Sequence, residues 1–210
     1  IYEVLPFMLN GLKITLWVFI ITAIFSIPLG IIVCLFRLSK IKIIRILMQL
    51  YILIMRGTPL LLQIIFIFFG LPQVGVVLNR EWATAVAFIL NYAAYFAEIF
   101  RGGINSIDIG QFEAAKVLKL SKFNTYIGII FPQVFKTVLP SLSNELITLV
   151  KDTSLVYVLG LGDILRAAKT LSNQDASLVP LLIAGAVYLL FIAILSYLLE
   201  KIESKFEYYR

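Results

Sequence analysis

Two long runs, Ile14 to Phe36 and Ala176 to Leu199, contain no charged residue. A helix crossing the hydrocarbon core of a bilayer needs roughly 20 apolar residues at 1.5 Å per residue. Both runs reach that length, and they limit the chain to folds that live in lipid. Three further segments read as spans on the same criterion. Ile43 to Leu71 is apolar except for Arg45 and Arg56. Trp82 to Phe100 carries Glu98 near its end, and Pro132 to Val150 is interrupted by Lys136 and Glu145. The expected fold class is an all-α integral membrane protein with about five transmembrane helices, in a single domain over residues 1–210.

Composition agrees. Of 210 residues 61% are hydrophobic and 14% charged, against about 25% charged in soluble domains. The net charge of +6 reads as basic cytoplasmic loops, not as a nucleic-acid surface. Cys34 stands alone, so no internal disulfide forms, and a zinc site needs more ligands. With no histidine in the chain, histidine-based acid–base, nucleophilic and metal chemistry is excluded. The first apolar run is too long for a signal-peptide core and has no obvious cleavage site.

Orientation follows from lysine and arginine in the short loops. Arg37, Lys40, Lys42 and Arg45 surround the turn between the first two spans. Arg101, Lys116, Lys119 and Lys122 lie between the third and fourth, and Lys201, Lys205 and Arg210 close the chain. The intervening turn carries only Arg80, beside Glu81. This alternation predicts the N-terminus outside, the C-terminus cytoplasmic, and Phe206, Tyr208 and Tyr209 at the inner interface.

Charges inside apolar segments are expensive and point to function. Arg56 lies ~20 Å along its helix if the helix begins near Lys42. Gly57-Thr58-Pro59 follows it, and proline removes a backbone donor and disfavours helix at the residue before it. Two readings stand. A broken helix beside a cation can hold a carboxylate, or Arg56 pairs internally at a simple kink. Glu145 follows Ser143 and Asn144. It either receives a cationic ligand group, with Asn144 assisting, or pairs with Arg56 or Lys136. Glu98 and Arg101 share a helix face, which favours a local ion pair. Lys151-Asp152-Thr153-Ser154 either gates a pathway or ends a helix.

No G-x-x-x-x-G-K-[ST] loop occurs, so ATP hydrolysis is not encoded here. Neither G-x-S-x-G nor H-E-x-x-H occurs, and the chain is not expected to be an enzyme.

Between the third and fourth spans lies a polar stretch with Glu113-Ala114-Ala115, Leu118, Ile129, Phe131 and Pro132. It resembles the EAA loop of binding-protein-dependent ABC importer permeases, with Lys119 where that pattern has a glycine. Arg56-Gly57-Thr58-Pro59-Leu60, Ala97 to Gly103, and Lys151-Asp152-Thr153-Ser154-Leu155 resemble signatures of its polar amino acid subfamily. The resemblance covers nearly the whole chain, in order. It implies a type I ABC importer (MetI-like) permease fold in the bacterial plasma (inner) membrane, surrounded by lipid. The stretch 104–131 would be a cytoplasmic coupling loop. Glu113, Ala114, Ala115 and Leu118 would dock on a separate ATPase subunit, present in two copies and carrying ATP and Mg. Ala114 and Ala115 would allow close packing, and Glu113 would sit near a helix start, favoured by the macrodipole. The other implied partners are a second permease subunit, identical or paralogous, and an extracytoplasmic substrate-binding protein.

Ser143-Asn144-Glu145 is similar to the run in permeases for histidine and arginine, which implies a basic amino acid substrate (arginine, histidine or lysine), with glutamine as the alternative. On that resemblance Glu145 and Asn144 take the side-chain cation. Arg56 with Gly57 and Thr58 holds the carboxylate, and Glu98 or Asp152 takes the α-ammonium. No cofactor or metal is expected on this chain. A secondary carrier would need its own ion site and no docking loop. A non-transporting scaffold leaves Arg56 and Glu145 without a purpose.

Overall fold

The computed structural model describes residues 4–207, with side chains from 8 to 206, and its regular elements are all helical. In chain order the α-helices are α1 (Val4–Arg37), α2 (Lys42–Gly57), α3 (Leu60–Gly70), α4 (Arg80–Asn105), α5 (Ile109–Val117), α6 (Lys122–Thr125), α7 (Phe131–Asp152), α8 (Ile164–Gln174) and α9 (Val179–Glu207). Tyr208 and Tyr209, expected at the inner interface, and the basic Arg210 fall outside the described residues.

Among the described residues three helices are long and apolar enough to cross a membrane: Met8–Arg37, Arg80–Asn105 and Val179–Phe206. The segment expected as one span from Ile43 to Leu71 is instead two helices. Lys42–Gly57 and Leu60–Val74 meet at 107° and qualify as a crossing only together. α7 has the length, about 33 Å, but Lys136, Glu145, Lys151 and Asp152 make it too polar to face lipid on all sides. The five expected spans are thus three clear ones, one bent pair and one polar helix.

The core is built on α4, whose buried residues include Ala83, Ala85, Ala87, Ala93, Ala94 and Ala97. Small side chains let helices approach closely where burial of apolar surface drives little association. α1 uses this surface. A Cβ on Gly30 would lie 2.7 Å from the Phe96 Cβ and 3.0 Å from the Ala93 carbonyl oxygen. Gly103 plays the same part where α4 meets Val134 and Val138 of α7. Two buried hydroxyls of α1 bond back within the helix: Ser26 donates to the Thr22 carbonyl at 2.6 Å and Thr15 to that of Gly11 at 3.3 Å. A second core joins Met8 to Ile164, Ala167 and Ala168 of α8 and Ala184 of α9. Leu182, Leu189 and Leu190 of α9 point outward, as lipid-facing residues should.

The mixed segment 151–175 folds as a 3-10 turn over Thr153–Leu159 followed by α8. Asp163 caps α8, accepting the backbone N–H groups of Leu165 (3.1 Å) and Arg166 (3.2 Å).

Candidate functional site

Pro59 determines the first part of the site. In an unbroken helix the Met55 carbonyl would accept from residue 59, and proline has no N–H to give. A carbonyl left open in lipid is costly. Two amides satisfy it: the Gln63 side chain donates to Met55 O at 2.9 Å and that of Asn91 at 2.8 Å. Asn91 also donates to Gln63 Oε1 at 3.0 Å, and Gln63 donates to Thr58 Oγ1 at 2.8 Å. The Thr58 N–H and hydroxyl both turn back to the Ile54 carbonyl. α3 begins after Pro59 with no side-chain cap, leaving the donors of its first turn available. Around Gly57 the space is open.

Arg56 projects from this break. Its guanidinium lies 5.1 Å from the Tyr95 ring centre and 3.8 Å from Glu98 Oε2. Arg101 holds Glu98 far more firmly, donating through Nε at 2.9 Å and Nη2 at 2.8 Å. The local pair expected from the spacing therefore forms, and Arg56 adds a looser contact. An open cleft of about 470 Å³ runs beside them, lined by Arg37, Gln49, Ile52, Leu53, Arg56, Gly57 and Glu98.

α7 supplies the second part. Ser141, Asn144, Glu145, Thr148, Lys151 and Asp152 recur at helical spacing and remain exposed or half-exposed, a polar face that lipid would not tolerate. The Tyr92 hydroxyl, buried on α4, donates to Asp152 Oδ2 at 2.7 Å. Tyr92 and Tyr95 lie 6.2 Å apart between ring centres. Glu145 forms no ion pair among the described residues, and Asp152 and Arg56 are within Coulombic reach of it. The fold thus joins Arg56, Tyr95, Tyr92, Asp152 and Glu145 in one connected region. Asn144 faces outward on the same helix face as Glu145.

Gln63, Asn91, Tyr92 and Tyr95 escape a reading of sequence alone. The amides carried a usable signal: once Pro59 breaks the ladder, some donor must meet Met55 O, and Gln63 and Asn91 are polar groups in apolar helices. The tyrosines carried none.

The stretch 104–131 lies at the far end of α4. Asp108 caps α5, accepting from Gly110 N at 2.6 Å. Glu113 sits in the middle of α5, with no acid in its first turn, so the expected macrodipole role falls to Asp108. The two alanines divide. Ala115 is 1% exposed and packs into the subunit, while Ala114 faces out. Ile109, Val117 and Leu118 of the same segment are strongly exposed as well. The helix ends on Lys119 in the left-handed region, φ 53°. Lys119 N donates to Lys116 O and Leu120 N to Ala115 O, both at 3.0 Å, the bond pattern of a Schellman cap. Lysine thus occupies a glycine-like turn. The following helix enters α7 through a π-helical turn over Tyr126–Ile130, next to Pro132, which cannot donate to Gly128.

The family model described as "Binding-protein-dependent transport system inner membrane component" matches residues 26–208. The chain is 41% identical over 203 residues to the arginine transport system permease protein ArtQ of Bacillus subtilis, covering 96% of this chain and 93% of that protein. It is 36% identical over 206 residues to a putative glutamine transport system permease protein GlnP of Rickettsia conorii, covering 97% and 94%. Among solved structures, a chain of an amino acid ABC transporter with histidines superposes with a TM-score of 0.89 at 33% identity, over 97% of this chain and 96% of that one. The inward-facing methionine transporter MetNI shares the fold at a TM-score of 0.74 and 16% identity, over 95% and 94%.

Proposed function

This chain belongs to the family of inner-membrane components of binding-protein-dependent transport systems, and from that premise we propose that it is the permease of an ATP-driven importer of basic amino acids. One observation supports the substrate class: with Glu98 and Arg101 engaged by each other, Arg56 and two carboxylates, Glu145 and Asp152 (the latter beside Lys151), share the region formed by the bent α2–α3 pair, α4 and the polar face of α7. A basic amino acid presents the complementary set, one carboxylate and two cations. Arg56, with the Gly57–Thr58 backbone and the open first turn of α3, receives the carboxylate. Glu145 receives the side-chain cation, assisted by Asn144. Asp152, oriented by Tyr92, receives the α-ammonium, because both oxygens of Glu98 are already engaged by Arg101. Glutamine, with one cation, would leave one acid unmatched. It is the second reading, supported by the similarity to glutamine permeases.

Transport on this reading is alternating access, driven by ATP and Mg on two copies of a separate ATPase subunit. Nucleotide supplies the differential interaction that shifts a two-state equilibrium. The outward face of α5, with Glu113, Ala114 and Leu118, docks on that subunit, while Ala115 supports it from behind. Basic loops at the α5 end orient the chain with its C-terminus in the cytoplasm. A second permease subunit covers the polar face of α7, and an extracytoplasmic binding protein delivers substrate.

Glu145→Gln tests the substrate assignment. It removes a charge-assisted contact of about 1.5–3 kcal/mol, so arginine uptake should weaken roughly 10- to 100-fold while glutamine uptake does not fall. Unchanged arginine uptake would sink the assignment.

A further inference from the structure

At the end of the subunit opposite α5, two arginines converge on one glycine. Gly160 ends the 3-10 turn with φ 77°, a conformation suited to glycine. A Cβ there would lie 2.5 Å from an Arg166 guanidinium nitrogen and 3.3 Å from one of Arg80. The two guanidinium nitrogens are therefore within about 6 Å of each other. Neither arginine forms an ion pair among the described residues. Lys169 lies nearby on α8, 5.4 Å from the Tyr157 ring centre. The neighbouring acids compensate only partly. Asp163 is fully buried and committed to capping α8, and Glu81 is exposed.

An open cleft of about 490 Å³ lies on the Arg80 side, lined by Phe68, Leu78, Asn79, Arg80, Glu81 and Leu161. Apolar side chains stand exposed close by in sequence, among them Val76, Val77 and Val158, with Val77 79% exposed. Paired guanidiniums beside exposed apolar groups suit a protein surface that offers carboxylates, because each guanidinium can hold a carboxylate through two parallel bonds. Arg80 opens α4, and α4 ends beside α5 about 39 Å away. If α5 meets the ATPase, this face lies outside.

We propose that the Arg80–Arg166 pair over Gly160 is a docking point for an acidic side chain of the extracytoplasmic binding protein; this rests on the importer reading above.

The test uses the permease with its ATPase subunit in nanodiscs, and the arginine-loaded binding protein of the same transport system. Its Kd is measured at rising salt. The wild type should bind more weakly as salt rises. The double variant Arg80→Gln with Arg166→Gln should bind at least 10-fold more weakly, with a flatter salt dependence. Arg80→Lys with Arg166→Lys should recover part of the affinity. Co-purification of the ATPase subunit confirms that each variant has folded. A double variant that binds within twofold of wild type overturns the docking site and leaves the importer reading standing. A loss of co-purifying phospholipid with binding unchanged makes it a lipid site and overturns the proposal equally. A wild type that binds no such protein overturns the reading, and the docking site with it.

Discussion

Arg101 holds both carboxylate oxygens of Glu98, at 2.9 and 2.8 Å, from one turn along the same helix. Arg56 is left with the longer contact of 3.8 Å, and its charge stays available to a ligand. Replacing Arg101 with Gln should release Glu98 to Arg56 and make it a competitor for the substrate carboxylate. The expected outcome is a KM for arginine raised several-fold with less change in maximal uptake, while Arg56→Gln loses uptake more severely. Equal uptake curves for wild type and Arg101→Gln would refute the competition.

Tyr92 reaches across to α7 and donates to Asp152 at 2.7 Å. Tyr92→Phe keeps the ring that stacks with Phe88 and removes only the hydroxyl. A buried hydrogen bond to a charged group contributes about 1.5–3 kcal/mol. Arginine affinity should fall roughly 10-fold or more if Asp152 meets the ammonium. Isothermal titration with the assembled transporter measures it, and an unaltered Kd assigns Tyr92 to packing alone.

Lys119 sits at φ 53°, where a side chain costs about 1–2 kcal/mol relative to glycine. Lys119→Gly should therefore raise the thermal midpoint of the detergent-solubilised subunit by up to a few degrees. A midpoint that falls would show that the lysine side chain makes a compensating contact.

Ala114 faces out from α5 while Ala115 is sealed inside. A bulky residue at 114 should leave the permease folded and weaken co-purification of the ATPase subunit. The same change at 115 should destabilise the permease itself, since overpacking costs about 1–3 kcal/mol. Comparing yield of folded permease with ATPase retention separates the two, and identical behaviour at both sites would contradict the division.

Burial raises the Asp163 carboxyl from its ordinary value of 3.8 to about 6, against the N–H groups that lower it. A carboxyl raised on folding favours the folded state below about pH 4 and loses that contribution as pH rises through about 6. The shift corresponds to at most about 3 kcal/mol. Asp163→Asn keeps a good N-cap without a titrating group. Thermal midpoints between pH 4 and 7 should decline in the wild type more than in the variant, and parallel curves would remove Asp163 as the cause.

Much of this molecule is legible in the chain itself, because the governing physics is local. Uncharged runs become spans by length alone. Pro59 marks a weak point in its helix because it lacks an N–H, although Pro28 and Pro140 lie inside continuous helices. Glu98 and Arg101 meet because residues three apart share a helix face. Asp163 and Asn79 cap the helices that follow them. What the chain could not reveal depends on residues far apart in order. Asn91 meets Met55 O from 36 positions away, and Tyr92 meets Asp152 from 60. The 107° bend places Arg56 against α4 instead of along a straight span, and the packing of one face of α5 buries Ala115 while leaving Ala114 exposed. Helix formation is decided by neighbours a few residues away, whereas the partner of a buried polar group is whichever atom packing brings within bonding distance. Only the tertiary structure makes that choice.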